Sequence, residues 1–232
     1  MLKRTNVAFL LDVDNTLLDN DRFAADLSAQ LEQSFGAVER ERYWAIYAEL
    51  RRDLGYADYL GTLQRFRAGL ENHPALLQMS AYLLDYAFEQ RLYPHALDAI
   101  AHLRTLGPTV ILSDGDIVFQ PRKIQRAGLW AALHGEVLID VHKQHSLAAM
   151  QQRYPATHYV MVDDKPGLLA EMKHTLGERL TTVFVRQGHY AAVPLAGINP
   201  APDLCIERIG ELCDRALADF LPAPLAGIPS TS

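Results

Sequence analysis

No apolar stretch of the sequence approaches the roughly 20 residues that a membrane-spanning helix needs, so no membrane partner is expected. Met1 to Arg4 lead directly into the first apolar segment, so no signal peptide is expected. Cysteine is nearly missing. Cys205 and Cys213 are the only two, which excludes a disulfide framework and offers no metal-binding spacing, and a reduced cytoplasmic setting is the expectation. An excess of basic residues is missing as well: 22 Lys and Arg stand against 28 Asp and Glu, a formal net charge of -6 with a pI near 5.8. Nucleic acid is therefore not expected as a partner. Internal repeats and low-complexity tracts are also absent. What remains is an ordinary globular composition, 49% hydrophobic and 22% charged over 232 residues, enough for one large domain or a core with an inserted module, with disorder expected only at the ends.

The most informative stretch is VAFLLDVDNTLLDN, residues 7–20. Its opening apolar run suits a strand buried on both faces, and the run ends abruptly at Asp12 and Asp14. Side chains alternate along a strand, so these two carboxylates start on the same side of the chain. Asn15, Thr16, Asp19 and Asn20 then read as a loop leaving the sheet. Two carboxylates this close repel each other and lose solvation unless a cation or a shared proton relieves them. A hard divalent ion held by oxygen ligands is the natural relief. A plain solvated turn is the competing reading. A calcium loop fails, because the glycine and the glutamate that an EF-hand needs at its sixth and twelfth positions do not follow.

Along residues 22–35 apolar side chains recur every four positions at Phe23, Leu27, Leu31 and Phe35, one face of a helix closed by Gly36. Further helical stripes carry Tyr43, Ile46, Tyr47 and Leu50, then Tyr59, Leu63 and Phe66, then Leu76 through Phe88, and no strand pattern interrupts residues 22–90. This stretch is expected to be a small helical bundle, and the aromatic cluster at Tyr43, Trp44 and Tyr47 reads as its core rather than as a substrate box. The character changes at Tyr93 and Pro94. From there strands at 109–112, 137–141, 158–162 and 182–185 alternate with helices, which indicates a parallel sheet with helices on both faces. One more strand and helix are expected around 204–217, with fraying from about Pro222. Polar residues collect at the carboxyl ends of the first, second and fourth strands, where open α/β sheets place their ligand crevice.

Four pieces stand in order: DVDNT at 12–16, ILSDG at 111–115, Lys143, and MVDDKPG at 161–167. Together they resemble the haloacid dehalogenase superfamily of aspartate-nucleophile hydrolases, with the first motif and its apolar strand the most specific piece. The resemblance implies an α/β fold with a Rossmann-like parallel core formed by residues 1–17 and 93–232 and an all-helical cap inserted at 18–92. It implies that Asp12 is the nucleophile, that Asp14 is the general acid and base, and that Ser113, Asp114, Gly115 and Lys143 surround the phosphoryl group. Magnesium is the implied cofactor, with Asp12, the backbone carbonyl of Asp14, Asp163 and Asp164 as its ligands. The expected partner is a small phosphorylated metabolite, the expected assembly a monomer or homodimer. The dehalogenases of this superfamily lack an acid two positions after the nucleophile, so Asp14 points to phosphoryl chemistry.

Other readings are carried alongside. The trio His142, Lys143 and His145 could be a solvated basic patch or a transition-metal site, and Lys165 is expected to bridge Asp163 or Asp164. A receiver domain also gathers carboxylates and a lysine at strand ends, but it has no place for some seventy inserted helical residues. A phosphotransferase or mutase, another non-phosphatase member of the superfamily, and a silent phosphate-binding module are the remaining alternatives. Substrate choice is expected to fall to the cap, with Arg22, Tyr43, Tyr47, Arg51, Arg52 and Tyr56 as candidates.

Overall fold

The structure, a computed structural model, describes residues 6–222. The expectations for the entry at Met1 to Arg4 and for fraying past Pro222 fall outside them. Strand β1 (Val7–Leu11) is followed by four helices, α1 (Asn20–Phe35), α2 (Ala37–Leu54), α3 (Tyr59–Phe66) and α4 (Pro74–Asp85). Then come α5 (Ala96–Leu106), β2 (Thr109–Asp114), α6 (Phe119–Arg126), α7 (Leu129–Ala132), β3 (Val137–Asp140), α8 (Leu147–Arg153), β4 (His158–Asp163), α9 (Pro166–Leu176), β5 (Leu180–Val185) and β6 (Leu204–Ile206). The six strands form one sheet in the order β3-β2-β1-β4-β5-β6, every pair parallel.

The period of two in β1 splits its side chains between two cores. Val7, Phe9 and Leu11 join one apolar cluster and Ala8 and Leu10 the other, because helices cover both faces of the sheet. Strand order runs outward from β1 to β3, then restarts on the other side at β4. That reversal beside β1 is the switch point at which the crossovers diverge and leave a crevice beyond the carboxyl ends.

The chain leaves the sheet for the four helices and returns to it through adjacent segments. Leu18 and Leu92 form an antiparallel bridge, flanked by Asp19 N–H donating to Arg91 O at 2.7 Å and Tyr93 N–H donating to Leu17 O at 2.9 Å. Local chemistry defines the helices between. Asp19 caps α1 by accepting from Arg22 N–H at 2.8 Å, Asp58 caps α3 by accepting from Gly61 N–H at 2.7 Å, and α2 stops at Gly55 in the left-handed region. Phe23, Leu27 and Leu31 are the buried stripe of α1. Phe23 has the rings of Tyr59, Tyr86, Phe88 and Phe119 at centroid distances of 4.9 to 5.9 Å, and since Phe119 belongs to α6, the inserted helices share an apolar core with the sheet domain.

Two expectations need correction. Phe88 does not extend α4: the helix ends at Asp85, and Phe88 opens a separate 3-10 turn, Phe88–Arg91. After β6 there is no α-helix but two 3-10 turns, Ile209–Asp214 and Leu217–Phe220. Ile209 and Leu212, three residues apart, are the buried positions of the first, a spacing that suits three residues per turn better than 3.6. No helix among the described residues is long and apolar enough to cross a membrane.

Candidate active site

Strand β1 delivers Asp12 to the switch-point crevice, where it is buried. Its Oδ1 accepts from Lys143 Nζ at 2.5 Å and its Oδ2 from Thr16 Oγ at 3.2 Å. The tight turn that follows, with Leu17 and Leu18 N–H both donating to Val13 O, turns the chain toward α1. Asn15 sits in that turn at φ +58°, and its Oδ1 accepts from the N–H groups of Asn20 and Asp21.

Strand β4 runs beside β1 and ends in the acidic pair. Asp163 Oδ1 accepts from Lys165 N–H at 2.8 Å, and its Oδ2 lies 2.6 Å from Lys143 Nζ, off the axis of a hydrogen bond. Both oxygens of Asp164 are buried without a hydrogen-bond partner. One carboxylate oxygen each from Asp12, Asp163 and Asp164 lies within 4.8 Å of the others, and among the described residues this is the single group of three or more potential metal-ligating side chains. His142 and His145 therefore belong to no such group; the His142 ring packs against Gly55 at the end of α2.

Burial pushes the carboxyls of Asp163 and Asp164 up, that of Asp164 to about 9 with repulsion from Asp163 and Asp12 added. Lys143 is also fully buried, which favours its neutral form, yet Asp12, Asp163 and Asp114 outweigh that and hold the ammonium charged. Lys165 has the same balance, burial opposed by Asp12 and Asp163. It does not form the expected bridge: no carboxylate of the described residues lies within 4.0 Å of its ammonium group, and its contact with the acidic pair is the backbone N–H donated to Asp163 Oδ1.

Strand β2 brings the second motif alongside. Ser113 is buried, and its Oγ accepts from Gln120 Nε2 at 3.0 Å. A side chain at Gly115 would put its Cβ 2.9 Å from Gln120, so glycine there permits this approach. Asp114 Oδ1 accepts from Lys143 N–H at 2.8 Å, which anchors the lysine loop to the end of β2; the same residue also borders the crevice. Asp14 lies apart from the acidic triad. Its carboxylate faces Lys123 of α6, whose Nζ donates to Oδ1 at 2.8 Å and Oδ2 at 3.0 Å. A part for Asp14 at a cation thus rests on its backbone carbonyl, the atom expected from the sequence.

The crevice is a cavity of about 100 Å³ bordered by Asp14, Asp164 and Lys165 from the sheet side, by Tyr47 and Arg51 of α2, and by Tyr56 in the loop between α2 and α3. The other cap candidates are engaged elsewhere. Tyr43 is buried with its hydroxyl donating to Tyr59 O, Arg22 pairs with Asp26, and Arg52 lies 3.5 Å from Asp53. Larger grooves, about 390 Å³ between α3 and α4 and about 550 Å³ beside β2, do not touch the carboxylate cluster. Sequence reasoning missed Thr16, Gln120 and Lys123. The last two had a signal, since 119, 120, 123, 124 and 127 make one helical face on which a glutamine and a lysine stand among apolar residues.

A family model for haloacid dehalogenase-like hydrolases matches residues 7–167. The chain belongs to this family. A solved structure assigned as a haloacid dehalogenase-like hydrolase from Burkholderia xenovorans is 55% identical, superposes with a TM-score of 0.85, and is matched over 91% of this chain and 99% of that one. The magnesium-bound hydrolase YfnB of Bacillus subtilis (18% identity, TM-score 0.60, 90% and 97% coverage) and the L-2-haloacid dehalogenase of Xanthobacter autotrophicus (19%, 0.58, 89% and 96%) share the fold. No match is found among curated proteins.

Proposed function

We propose that this family member is a magnesium-dependent phosphatase that hydrolyses a small phosphomonoester through an aspartyl phosphate on Asp12, with the helices of residues 18–92 as its cap. The observation that carries the reading is the second acid: Asp14 stands two residues after the nucleophile, with its carboxylate outside the acidic triad and on the crevice. A halide leaves without a proton, whereas an alkoxide needs one.

The donor set fits a hard cation, because three buried carboxylates converge and both oxygens of Asp164 lack a partner. Asp12, Asp163, Asp164 and the backbone carbonyl of Asp14 would hold magnesium, which supplies charge neutralisation between anionic nucleophile and anionic substrate. The chain's own groups do the rest. Asp12 attacks phosphorus, the bond from phosphorus to the leaving oxygen breaks, and Asp14 protonates that oxygen. Asp14 then takes a proton from water as the water attacks phosphorus, releasing phosphate and restoring Asp12. Ser113 donates to a phosphoryl oxygen, and Lys143 supplies fixed positive charge beside the nucleophile.

Asp12→Asn keeps the shape of the strand end and removes the nucleophile. Turnover of p-nitrophenyl phosphate should fall by several orders of magnitude while the melting temperature holds or rises. Beryllium fluoride, which mimics a phosphoryl group on a carboxylate, should give an adduct on Asp12 in a crystal. An adduct elsewhere, or full activity in the variant, overturns the reading.

A further inference from the structure

Lys123 is 1% exposed, yet it lies on a helix outside all four sequence motifs. A buried ammonium group is costly unless its donors are satisfied, and here three contacts serve it: two on Asp14 and one on Asn20 Oδ1 at 3.0 Å. Four aromatic rings surround the charge, with Nζ 5.9 Å from the centroids of Phe23 and Tyr59, 5.8 Å from Phe88 and 5.6 Å from Phe119, each within cation–π range. Among these rings, the carboxylate that the ammonium meets is that of Asp14. Gln120 Nε2 adds a contact to Asp14 Oδ2 at 3.3 Å while donating to Ser113 Oγ.

Each aspartate of the first motif thus has its own buried lysine. Lys143 serves Asp12 and Lys123 serves Asp14. A single ion pair to one oxygen would leave the Asp14 carboxylate free to turn, whereas a grip on both oxygens fixes the plane of the group as well as its place. Asp14 is itself 26% exposed, so solvent could satisfy it without Lys123, and hydrophobic packing alone would favour methionine over lysine at this position. We propose that Lys123 is a positioning residue that holds the Asp14 carboxylate in register with the leaving oxygen of the substrate. The inference rests on the phosphatase reading and deepens it.

The test compares kcat/KM, which reports events up to departure of the leaving group, for p-nitrophenyl phosphate and ethyl phosphate in magnesium-containing buffer. Nitrophenolate leaves without much help from an acid; ethoxide does not. Lys123→Met should lose about ten- to a hundredfold more kcat/KM on ethyl phosphate than on the aryl ester, the size expected when a catalytic group is displaced slightly. Adding Lys123→Met to Asp14→Asn should cost nothing beyond Asp14→Asn alone. If the methionine variant does not fold, Lys123→Gln, which keeps an uncharged amide donor group, gives the same pattern with a smaller amplitude. Equal losses on both esters, no loss, or additive losses in the double variant would assign Lys123 to the scaffold and overturn the proposal. A wild-type enzyme that hydrolyses neither ester overturns the phosphatase reading, and this inference with it.

Discussion

Asp164 is the least compensated carboxyl of the crevice: buried, with both oxygens unpartnered, and pushed up from 3.8 to about 9 by burial and by its acidic neighbours. Between those two values the folded metal-free protein holds a proton that the unfolded chain has released, so this residue's contribution to stability falls as pH rises through that window. A cation must displace the same proton, so magnesium should bind more weakly as pH falls. Without magnesium, the melting temperature of Asp164→Asn should decline less between pH 5 and pH 9 than that of the wild type, and the variant should be about 1–3 kcal/mol more stable at pH 7. Saturating magnesium should raise the wild-type value and leave the variant nearly unmoved. Thermal scans with and without EDTA decide it: equal pH slopes for the two proteins would assign the titration to other groups. Lys123 is harder to see from sequence at this scale, because a lone ammonium declares its partner only after the chain has brought distant segments together. Lys123 meets Asp14 across 109 positions.

Among the elements, β1 and β4 were readable because both are continuous apolar runs cut short by two acids. Helix α1 was readable through its period of four. The segment after β6 was not, since its buried positions three apart look the same as a fragment of an α-helical stripe. The end of α4 was likewise hidden, because Phe88 continues the apolar pattern while packing from a separate turn against Phe23. Phe23 is where helices and sheet domain meet. Phe23→Ala should cost about 3–5 kcal/mol, the usual loss for a fully buried phenylalanine. Since its neighbours come from both regions, calorimetry should record one broadened or lowered transition, and two well-separated transitions would indicate that the helices are stabilised independently.

At the scale of the whole molecule, the sheet supplies the acidic triad and its buried lysine, and the helices border the small cavity beside them. Of the six cap candidates named from sequence, Tyr47, Arg51 and Tyr56 border that cavity. The others were indistinguishable by residue type, and consecutive residues on a helix point about 100° apart, which places Arg51 and not Arg52 on the crevice. Arg51→Ala should therefore change the ranking of substrates in a phosphometabolite screen, with the largest losses for esters whose leaving group is anionic, while p-nitrophenyl phosphate is spared by comparison. A uniform loss across the screen would mean that Arg51 acts on the fold and not on selection.

The paired crossings at Leu17 to Asp19 and Arg91 to Tyr93 bear on how such a molecule changes over time. Exit and re-entry are stitched side by side, so the sheet experiences the intervening helices as a pendant whose two threads never move apart. Lengthening or exchanging a pendant of this kind adds little closure entropy, about 0.6 kcal/mol for each doubling of loop length. A foreign helical module grafted between the same two threads would leave the register of β1 and β4 alone, and with it the carboxylate cluster at their ends. What a graft must bring is a ring to replace Phe23 against Phe119 and a roof for Lys123; modules lacking either would hang from the sheet without seating on it.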